Sequence, residues 1–405
     1  MKFTALIAFI GLVIAKTLVL LDTNRQEEFS LFLSLLKSRG HILDLQSISK
    51  VIPLIEFEEK KYDHVVVLGP VQSFGGQLKV GNLLEFVNQG GNVLLASSKP
   101  SEAINDFAYE FSVDFHTTPV KDYFSNINDT IITSANLLNS HHVVPKTVKA
   151  PILYRGVGHK LSGKNALVQP LLVGGESTYS IGSSALYGNK LGLVSYFQAL
   201  NDARIVFVGS VDMFTNDFLN AAIKINGEEK LSGNAEFASE ISEWVFKQKS
   251  VVKVVSHKHH RLGETAQHGI YRIKDEMVYE LELAKLEKGK WVPFTPNDIQ
   301  FEAVMLDPYI RRTFSSKDGK MQVRFKLPDH YGVFTFKVSY QRHGLTNVLV
   351  SETVQVRPFN HDQYPRFLLA AYPYYANIFS MMGAFFLFSC VFLYHKDTIK
   401  KVKTD

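Results

Sequence analysis

Apolar runs and helical spacing alternate through the first quarter of the chain. Leu18-Val19-Leu20-Leu21 is continuous and ends at Asp22, the pattern of a strand buried on both faces. Phe29, Phe32, Leu33 and Leu36 then recur at helical spacing, and Gly40 closes that helix. Ile42-Leu-Asp-Leu45 predicts a second strand, and Val65-Val-Val-Leu68 a third that runs into Gly69-Pro70 and the loop Phe74-Gly75-Gly76. Leu83, Leu84, Phe86 and Val87 form the next helical face, ended by Gly90-Gly91, and Val93-Leu-Leu-Ala96 is a fourth strand. Strands and helices joined by short loops predict a parallel sheet covered on both faces. The expected class is α/β, flavodoxin-like or amidotransferase-like in order.

The pattern weakens over residues 113–190, where a break near 113–150 would divide the α/β region into two subdomains. Tyr154-Arg155-Gly156-Val157-Gly158 reads as a tight turn, and Gly174-Gly175 with the Ser/Thr/Tyr run after it as loop. Leu191 to Phe197 and Ile205-Val-Phe-Val208 return to strand, followed by a helix over Phe214–Ile223. Glu236–Lys247 is amphipathic, with Phe237, Ile241, Trp244 and Val245 on one face, so Trp244 is expected to plug the core.

From Val251 the period changes to two. Val251–Val255, Tyr279–Leu283, Met321–Leu327 and Val333–Tyr340 alternate apolar with polar, and turn signals stand at Lys288-Gly289, Asp318-Gly319 and Tyr331-Gly332. These residues predict a β-sandwich over 251–358, immunoglobulin-like in outline.

Two further apolar stretches bracket this body. Tyr374 to Tyr394 carries no charge, is long enough for the ~30 Å hydrocarbon core of a bilayer and has tyrosines at both ends. His395 to Asp405 is short and lysine-rich, whereas the nearest cation on the other side is Arg366, which predicts a cytosolic C-terminus. At the start, Met1-Lys2, the apolar Phe3–Ile14 and Val13-Ile14-Ala15 read as a signal peptide removed after residue 15. The expected layout is a signal peptide (1–15), a lumenal α/β region (16–250), a lumenal β-sandwich (251–358), a juxtamembrane segment (359–373), a transmembrane helix (374–394) and a cytosolic tail (395–405). That is a single-pass type I protein.

Composition adds three constraints. The 46% hydrophobic and 20% charged content is that of ordinary globular protein. The net charge of +5 is mild and no basic stripe with interleaved aromatics occurs, which argues against nucleic acid binding. Cys390, the single cysteine, lies in the membrane span as an apolar filler, so the lumenal portion is stabilised without disulfides.

Candidate chemistry is sparse. The strand ends that line the ligand crevice of such sheets carry Asp22-Thr23-Asn24, Gly69-Pro70 and Ser97-Ser98. There is no Gly-x-Gly-x-x-Gly after the first strand, no Walker-type Gly-Lys-Ser/Thr, and neither a cysteine nor a Gly-x-Ser-x-Gly elbow. Ser210 and Asp212 at a strand end are explained by a turn and helix cap. His257, His259, His260 and Glu264 form the densest cluster of metal-ligand types, but their spacing fits no zinc template and reads as a solvated interdomain loop. No catalytic, cofactor-binding or metal residues are therefore expected. Asn128-Asp129-Thr130 is the one N-x-S/T sequon and is a glycosylation candidate.

His259-His-Arg-Leu-Gly-Glu-Thr265, Phe325 to Phe334, Val356 to Phe367 and Ala371-Tyr-Pro-Tyr-Tyr-Ala376 together resemble the DDOST family of endoplasmic reticulum oligosaccharyltransferase subunits. Lys16 to Asp22, the Phe74-Gly-Gly76 loop and Tyr154–Gly158 fit as well. The resemblance implies a part in transferring a dolichol-linked glycan to asparagine, with catalysis in a separate multispanning subunit. It implies neighbours of the ribophorin II and defender-against-death types. Lys401 and Lys403, five and three positions from the end, resemble the dilysine signal read by the coat-protein retrieval machinery. Tyr364, Arg366, Phe367, Tyr372, Tyr374 and Tyr375 are partner-contact candidates, since aromatics and Arg are enriched in interface cores. Two mechanisms fit: a scaffold that packs on partner subunits and lipid, and a crevice that grips glycan or acceptor peptide. A membrane-tethered lumenal hydrolase or glycan-binding protein is the rival reading.

Overall fold

Continuous apolar runs become the centre of a large sheet because both of their faces are covered. The computed structural model describes residues 15–48, 52–69, 80–124, 130–133, 142–145, 150–182, 184–225, 228–317 and 320–396. The expected leader up to Ile14, Phe74-Gly75-Gly76 and the Asp318-Gly319 turn lie outside the described residues. The strands of the first sheet are Lys16–Leu21 (β1), Ile42–Ser47 (β2), His64–Leu68 (β3), Asn92–Ala96 (β4), Val113–Pro119 (β5), Val157–Leu161 (β6), Val168–Val173 (β7), Gly192–Gln198 (β8) and Arg204–Val208 (β9). Their order is β2-β1-β3-β4-β9-β8-β6-β5, with β7 also paired to β8. The first five are mutually parallel and the rest antiparallel.

The pleat divides each strand between two cores. Leu18, Val65, Val93 and Ile205 stand in register across β1, β3, β4 and β9 and face one core. The next row, Val19, Val66, Leu94 and Val206, faces the other. Helices α1 (Ser30–Ser38) and α4 (Asn234–Val245) cover the second face with Phe32, Leu36, Phe237, Ile241 and Trp244. Helices α2 (Val80–Asn88) and α3 (Glu102–Glu110) cover the first with Leu83, Phe86, Ile104 and Phe107. Each of these side chains is fully buried, and such burial stabilises by about 1.5–3 kcal/mol.

Two local expectations give way here. The helix expected over Phe214–Ile223 is a 3-10 turn at Asp212–Phe214 and an α-helical turn at Asn216–Leu219, after which Ala222–Ile225 pairs as a strand with Glu228–Leu231. Asn216 ends the run because its side chain is engaged elsewhere: it accepts from Leu31 N at 3.0 Å and donates to Glu27 O and Ser30 Oγ, both at 2.9 Å. The run after Gly174-Gly175 is not all loop, since Thr178–Ile181 is a strand between Ala185–Tyr187 and Lys121–Asp122.

The alternating region forms two five-stranded sheets. One contains Val252–Arg261 (β10), Glu276–Glu287 (β12), Lys290–Pro293 (β13), Ser315–Lys317 (β16) and Lys320–Lys326 (β17). The other runs in the order Ile270–Arg272 (β11), Val348–Arg357 (β19), Gly332–Tyr340 (β18), Gln300–Met305 (β14) and Asp307–Thr313 (β15). Their inner faces meet through rings: Tyr279 lies 4.9 Å from Phe301, and Phe325 lies 4.6 Å from Phe301 and 5.6 Å from Phe336. Lys288 and Gly289 both take positive φ, 48° and 74°, and turn β12 into β13 as a two-residue hairpin demands. His257, His259 and His260 are on β10, paired with Leu281, Tyr279 and Val278, and not in an interdomain loop.

The α/β and β units are joined through Trp244. Its indole Nε1 donates to Gly344 O at 2.8 Å, reaching from α4 to the turn before β19. The buried Arg204 guanidinium lies over that ring at 4.8 Å. It donates to Trp244 O at 2.7 Å, Lys249 O at 3.0 Å and Ser250 O at 2.9 Å, the last turn of α4 and the linker beyond it. Val252 N donates to Thr346 Oγ1 at 2.6 Å and Asn347 N to Asp202 Oδ1 at 2.8 Å, and Gln198 Nε2 donates to Leu345 O. Beyond β19 the chain makes two 3-10 turns and then the helix α5, Tyr372–Tyr394, which is apolar all round, exposed along its length and long enough to cross a membrane.

Two outcomes follow from this packing. Trp244→Phe keeps the ring and removes the bond to Gly344 O, so it should cost about 1–2 kcal/mol and let the β unit unfold in a separate, earlier step. An unchanged single transition in chemical denaturation would contradict that. His64 and His159 are buried neutral imidazoles, pushed by burial down to about 3. The unfolded chain protonates near pH 6.5, so the stability they contribute is present above that pH and lost as pH falls toward 3, about 2 kcal/mol each by pH 5. Melting temperatures of the full chain at pH 7 and pH 5 should differ, and the difference should shrink in His159→Gln.

Candidate functional site

Ligands of open α/β sheets bind beyond the carboxyl ends of the parallel strands, where strand order reverses. That point lies between β1 and β3, and the chain after β3 leaves the described residues at Pro70; at the end of β9 two of the chain's own backbone segments pack together. Val157 N donates to Gly209 O at 2.8 Å, and a Cβ at Gly156 would stand 2.0 Å from Gly209 O. A Cβ at Gly209 would stand 1.9 Å from Val157 O. The glycines of Tyr154–Gly158 therefore permit close approach of two backbone segments as well as a change of direction between strands. Tyr154 is buried beneath them and its hydroxyl donates to Val157 O at 2.5 Å.

Most of the polar side chains named at this edge hold neighbouring groups, whereas the buried Ser97 hydroxyl has no partner among the described residues. Ser210 Oγ donates to Arg155 O at 2.7 Å, and Ser98 Oγ accepts from Val211 N at 2.8 Å. Asp212 takes Arg155 Nε at 2.6 Å and Arg25 Nη2 at 3.6 Å, and Arg25 also pairs with Glu28 at 2.7 Å. Asp22 accepts from Asn24 N at 3.2 Å, as a helix cap does. Among the described residues no base is hydrogen-bonded to Ser210 to activate it. Of the expected crevice residues, Gly69 is present with φ +146°, while Pro70 lies outside the described residues.

A serine and a histidine do meet elsewhere. His159 Nε2 is 2.5 Å from Ser195 Oγ on adjacent strands. Both are fully buried, the second ring nitrogen of His159 has no partner, and burial pushes the imidazole down to about 3. A triad needs a base near neutrality, an orienting carboxylate and access for substrate. This pair has a core environment instead.

His259 of β10 borders a pocket of about 270 Å³ lined also by Gln267, His268 and Glu352 among others. His259 Nδ1 is 2.7 Å from the Tyr271 hydroxyl and its Nε2 is 3.2 Å from Glu352 Oε1. His257 Nε2 reaches Glu352 Oε2 at 3.6 Å, and Glu264 pairs with His268 at 2.8 Å rather than with His257, His259 or His260. Desolvation lowers the His259 pKa, with Glu352 opposing it. Among the described residues no three ligands converge on one point.

The near-membrane segment begins tied down and ends free. Arg357 Nη1 donates to Pro358 O and Asn360 Oδ1 at 3.0 Å and to Gln363 Oε1 at 3.1 Å. The Phe359 ring lies 5.3 Å from the Arg272 guanidinium and 5.5 Å from the Tyr364 ring. Tyr364, Arg366, Phe367, Tyr372, Tyr374 and Tyr375 are all exposed. The structure brings them into one stretch of chain without bringing them into one pocket. Asn128, Lys401 and Lys403 lie outside the described residues. Sequence reasoning missed Phe359 and Arg357, whose signal was a basic and aromatic pair at the end of the last strand. It also missed Arg204, for which an Arg opening an apolar strand was the signal.

A family model described as "OST48, N-terminal domain" matches residues 12–248, and one described as "OST48 middle domain" matches residues 259–396. Proteins named "Dolichyl-diphosphooligosaccharide--protein glycosyltransferase 48 kDa subunit" from Arabidopsis thaliana, Danio rerio and Caenorhabditis elegans are each 37% identical to this chain. The matches cover 94%, 96% and 96% of this chain and 93%, 93% and 92% of those proteins, respectively. A solved structure titled "Structure of PurLQS from Thermotoga maritima" aligns over 57% of this chain and 98% of its own, with 9% identity and a TM-score of 0.30, too slight a likeness to carry a fold assignment. The two family models meet near the Trp244 junction and between them span both units and the exposed helix, and the chain belongs to the OST48 family.

Proposed function

We propose that this chain is a non-catalytic subunit of an oligosaccharyltransferase complex. It supports transfer of a preassembled dolichol-linked glycan to asparagine of nascent proteins, and the transfer itself resides in a separate multispanning subunit. The observation that carries the reading is similarity over 92–93% of the length of relatives named as the 48 kDa subunit of that transferase. The packed carboxyl edge of the sheet supports the non-catalytic part. Ser98, Ser210 and Asp212 are engaged with backbone and arginines and are not poised against a substrate. The same occupancy weighs against a self-sufficient hydrolase and against a crevice that grips glycan.

In this reading α5 anchors the chain in the endoplasmic reticulum membrane. Residues 16–250 and 251–358 stand on the lumenal side, 359–373 approach the bilayer, and 395–405 face the cytosol after loss of residues 1–15. The parallel strands in the order β2-β1-β3-β4-β9 support a flavodoxin-like first unit. The ring contacts between two facing sheets support a β-sandwich as the second. Tyr364, Arg366, Phe367, Tyr372, Tyr374 and Tyr375 are exposed as partner contacts must be, and subunits of the ribophorin II and defender-against-death types are the expected neighbours. Lys401 and Lys403 would return the protein from later compartments through the coat machinery.

Truncation of residues 356–405 should release the chain from the complex, measured by affinity purification in mild detergent. Continued co-purification of the catalytic subunit with the truncated chain would refute the scaffold reading. Glycosidase treatment should shift the mass of the protein, and the shift should vanish in Asn128→Gln. No shift in the unaltered protein would remove Asn128 as an acceptor.

A further inference from the structure

The end of the β unit from which the chain departs for the helix carries an unusual apex. β14 and β15 are joined through a single residue, Leu306, with Met305 opposite Asp307. Leu306 is fully exposed and holds φ at +64°. A branched side chain at positive φ costs of order 1 kcal/mol relative to Gly or Asn, which most such apices use. An aliphatic residue held in strain and pointed away from its own core gains nothing from packing within the fold.

The register shows where this apex stands. Gly332, at the start of β18, pairs with Val356 at the end of β19, and a Cβ on Gly332 would meet Met305 Sδ at 2.8 Å. Met305 thus lies against Gly332, one strand away from the last residues of β19. Tyr331 and Val333 flank that glycine and are exposed, and Tyr309 beside them is half-exposed, its ring 5.3 Å from His330. Phe359 and Tyr364 fold back on the same end. From Tyr364 to the start of α5 at Tyr372 the chain can span at most ~29 Å. The start of α5 is thereby held within that reach of Tyr364, at the end of the β unit that carries the apex. Charge at this end is mixed: Lys274 pairs with Asp329 at 2.8 Å, and Asp307 adjoins Leu306. The patch suits the apolar boundary of a bilayer better than an anionic surface.

We propose that Leu306, with Tyr331 and Val333 around it, inserts into the lumenal headgroup boundary of the membrane, giving the β unit a second contact with lipid besides α5. Tyrosines at its rim would sit at headgroup level, as they do at both ends of α5. The inference rests on α5 being a membrane span. Single-label fluorescence tests both separately. In a Cys390→Ser background, Leu306→Cys, Ile378→Cys and Lys288→Cys each receive an environment-sensitive dye. The full chain, purified with its bound subunits, is reconstituted in phosphatidylcholine vesicles containing lipid spin-labelled near the headgroup or deep in the acyl chain.

The label at 306 should be blue-shifted and quenched by the shallow spin label, the label at 378 by one or both, and the label at 288, at the opposite end of β12, by neither. Adding anionic lipid should leave the signal at 306 unchanged. Quenching at 378 without quenching at 306 overturns the inference and leaves the span intact. A blue shift at 306 without quenching means protein covers the apex, which also overturns it, as does equal quenching at 288. Absence of quenching at 378 removes the span and the inference together.

Discussion

A buried guanidinium with no carboxylate against it joins the two halves of the chain. A charge taken out of water costs several kcal/mol unless its hydrogens are satisfied. Arg204 meets that condition at Nη1 and Nη2 with carbonyls, Trp244 O in the last turn of α4, where the helix dipole is negative, and Lys249 O and Ser250 O just beyond, while its Nε is buried without a partner among the described residues. Burial lowers its pKa to about 9, which leaves the group charged at neutral pH. The indole of Trp244 covers one face of the guanidinium and spends its own N–H on Gly344 O. The position of the linker, the end of the helix and the first turn of the next unit are thus set by one pair of side chains.

The consequence is that the β unit is fixed to the sheet through backbone groups. Lys247 and Ser250 both hold φ at 57°, so the linker makes two left-handed turns within four residues. Such turns persist when surrounding contacts over-determine them. Val252, Thr346 and Asn347 supply those contacts from the other side. No disulfide assists, because Cys390 is on α5. Rigidity between the units rests on hydrogen bonds shielded from water, where each is worth more than at the surface.

What could be read from the sequence follows from how many faces a segment buries. β1, β3, β4 and β9 are buried on both faces and therefore appear as unbroken apolar runs. The helices that cover them show their inward stripe, and Trp244 lies in the core as expected. Phe214, Phe218 and Leu219 have helical spacing too, yet Asn216 diverts to the backbone and side chain around Glu27 and Ser30, a long-range demand that no local pattern records. The second half of β10 was hidden for a different reason. From Ser256 to Arg261 it presents polar residues on both faces, because its buried position is filled by His259 bonded to Tyr271. A histidine in the place of an apolar residue removes the alternation on which strand reading depends.

The candidate site was legible in the sequence mostly as a lack of motifs. Gly156 and Gly209 bring two backbone segments into contact at the end of β9, a long-range approach that no local pattern records. The exposed aromatics from Tyr364 to Tyr375 and the whole circumference of α5 are surfaces that the fold does not consume. Both lie at one end of the molecule, past the last strand. A body joined through Arg204 and Trp244, with an exposed apolar helix at one end, carries a displacement of that end across the junction. Any partner gripping the helix therefore also orients the sheet beyond that junction.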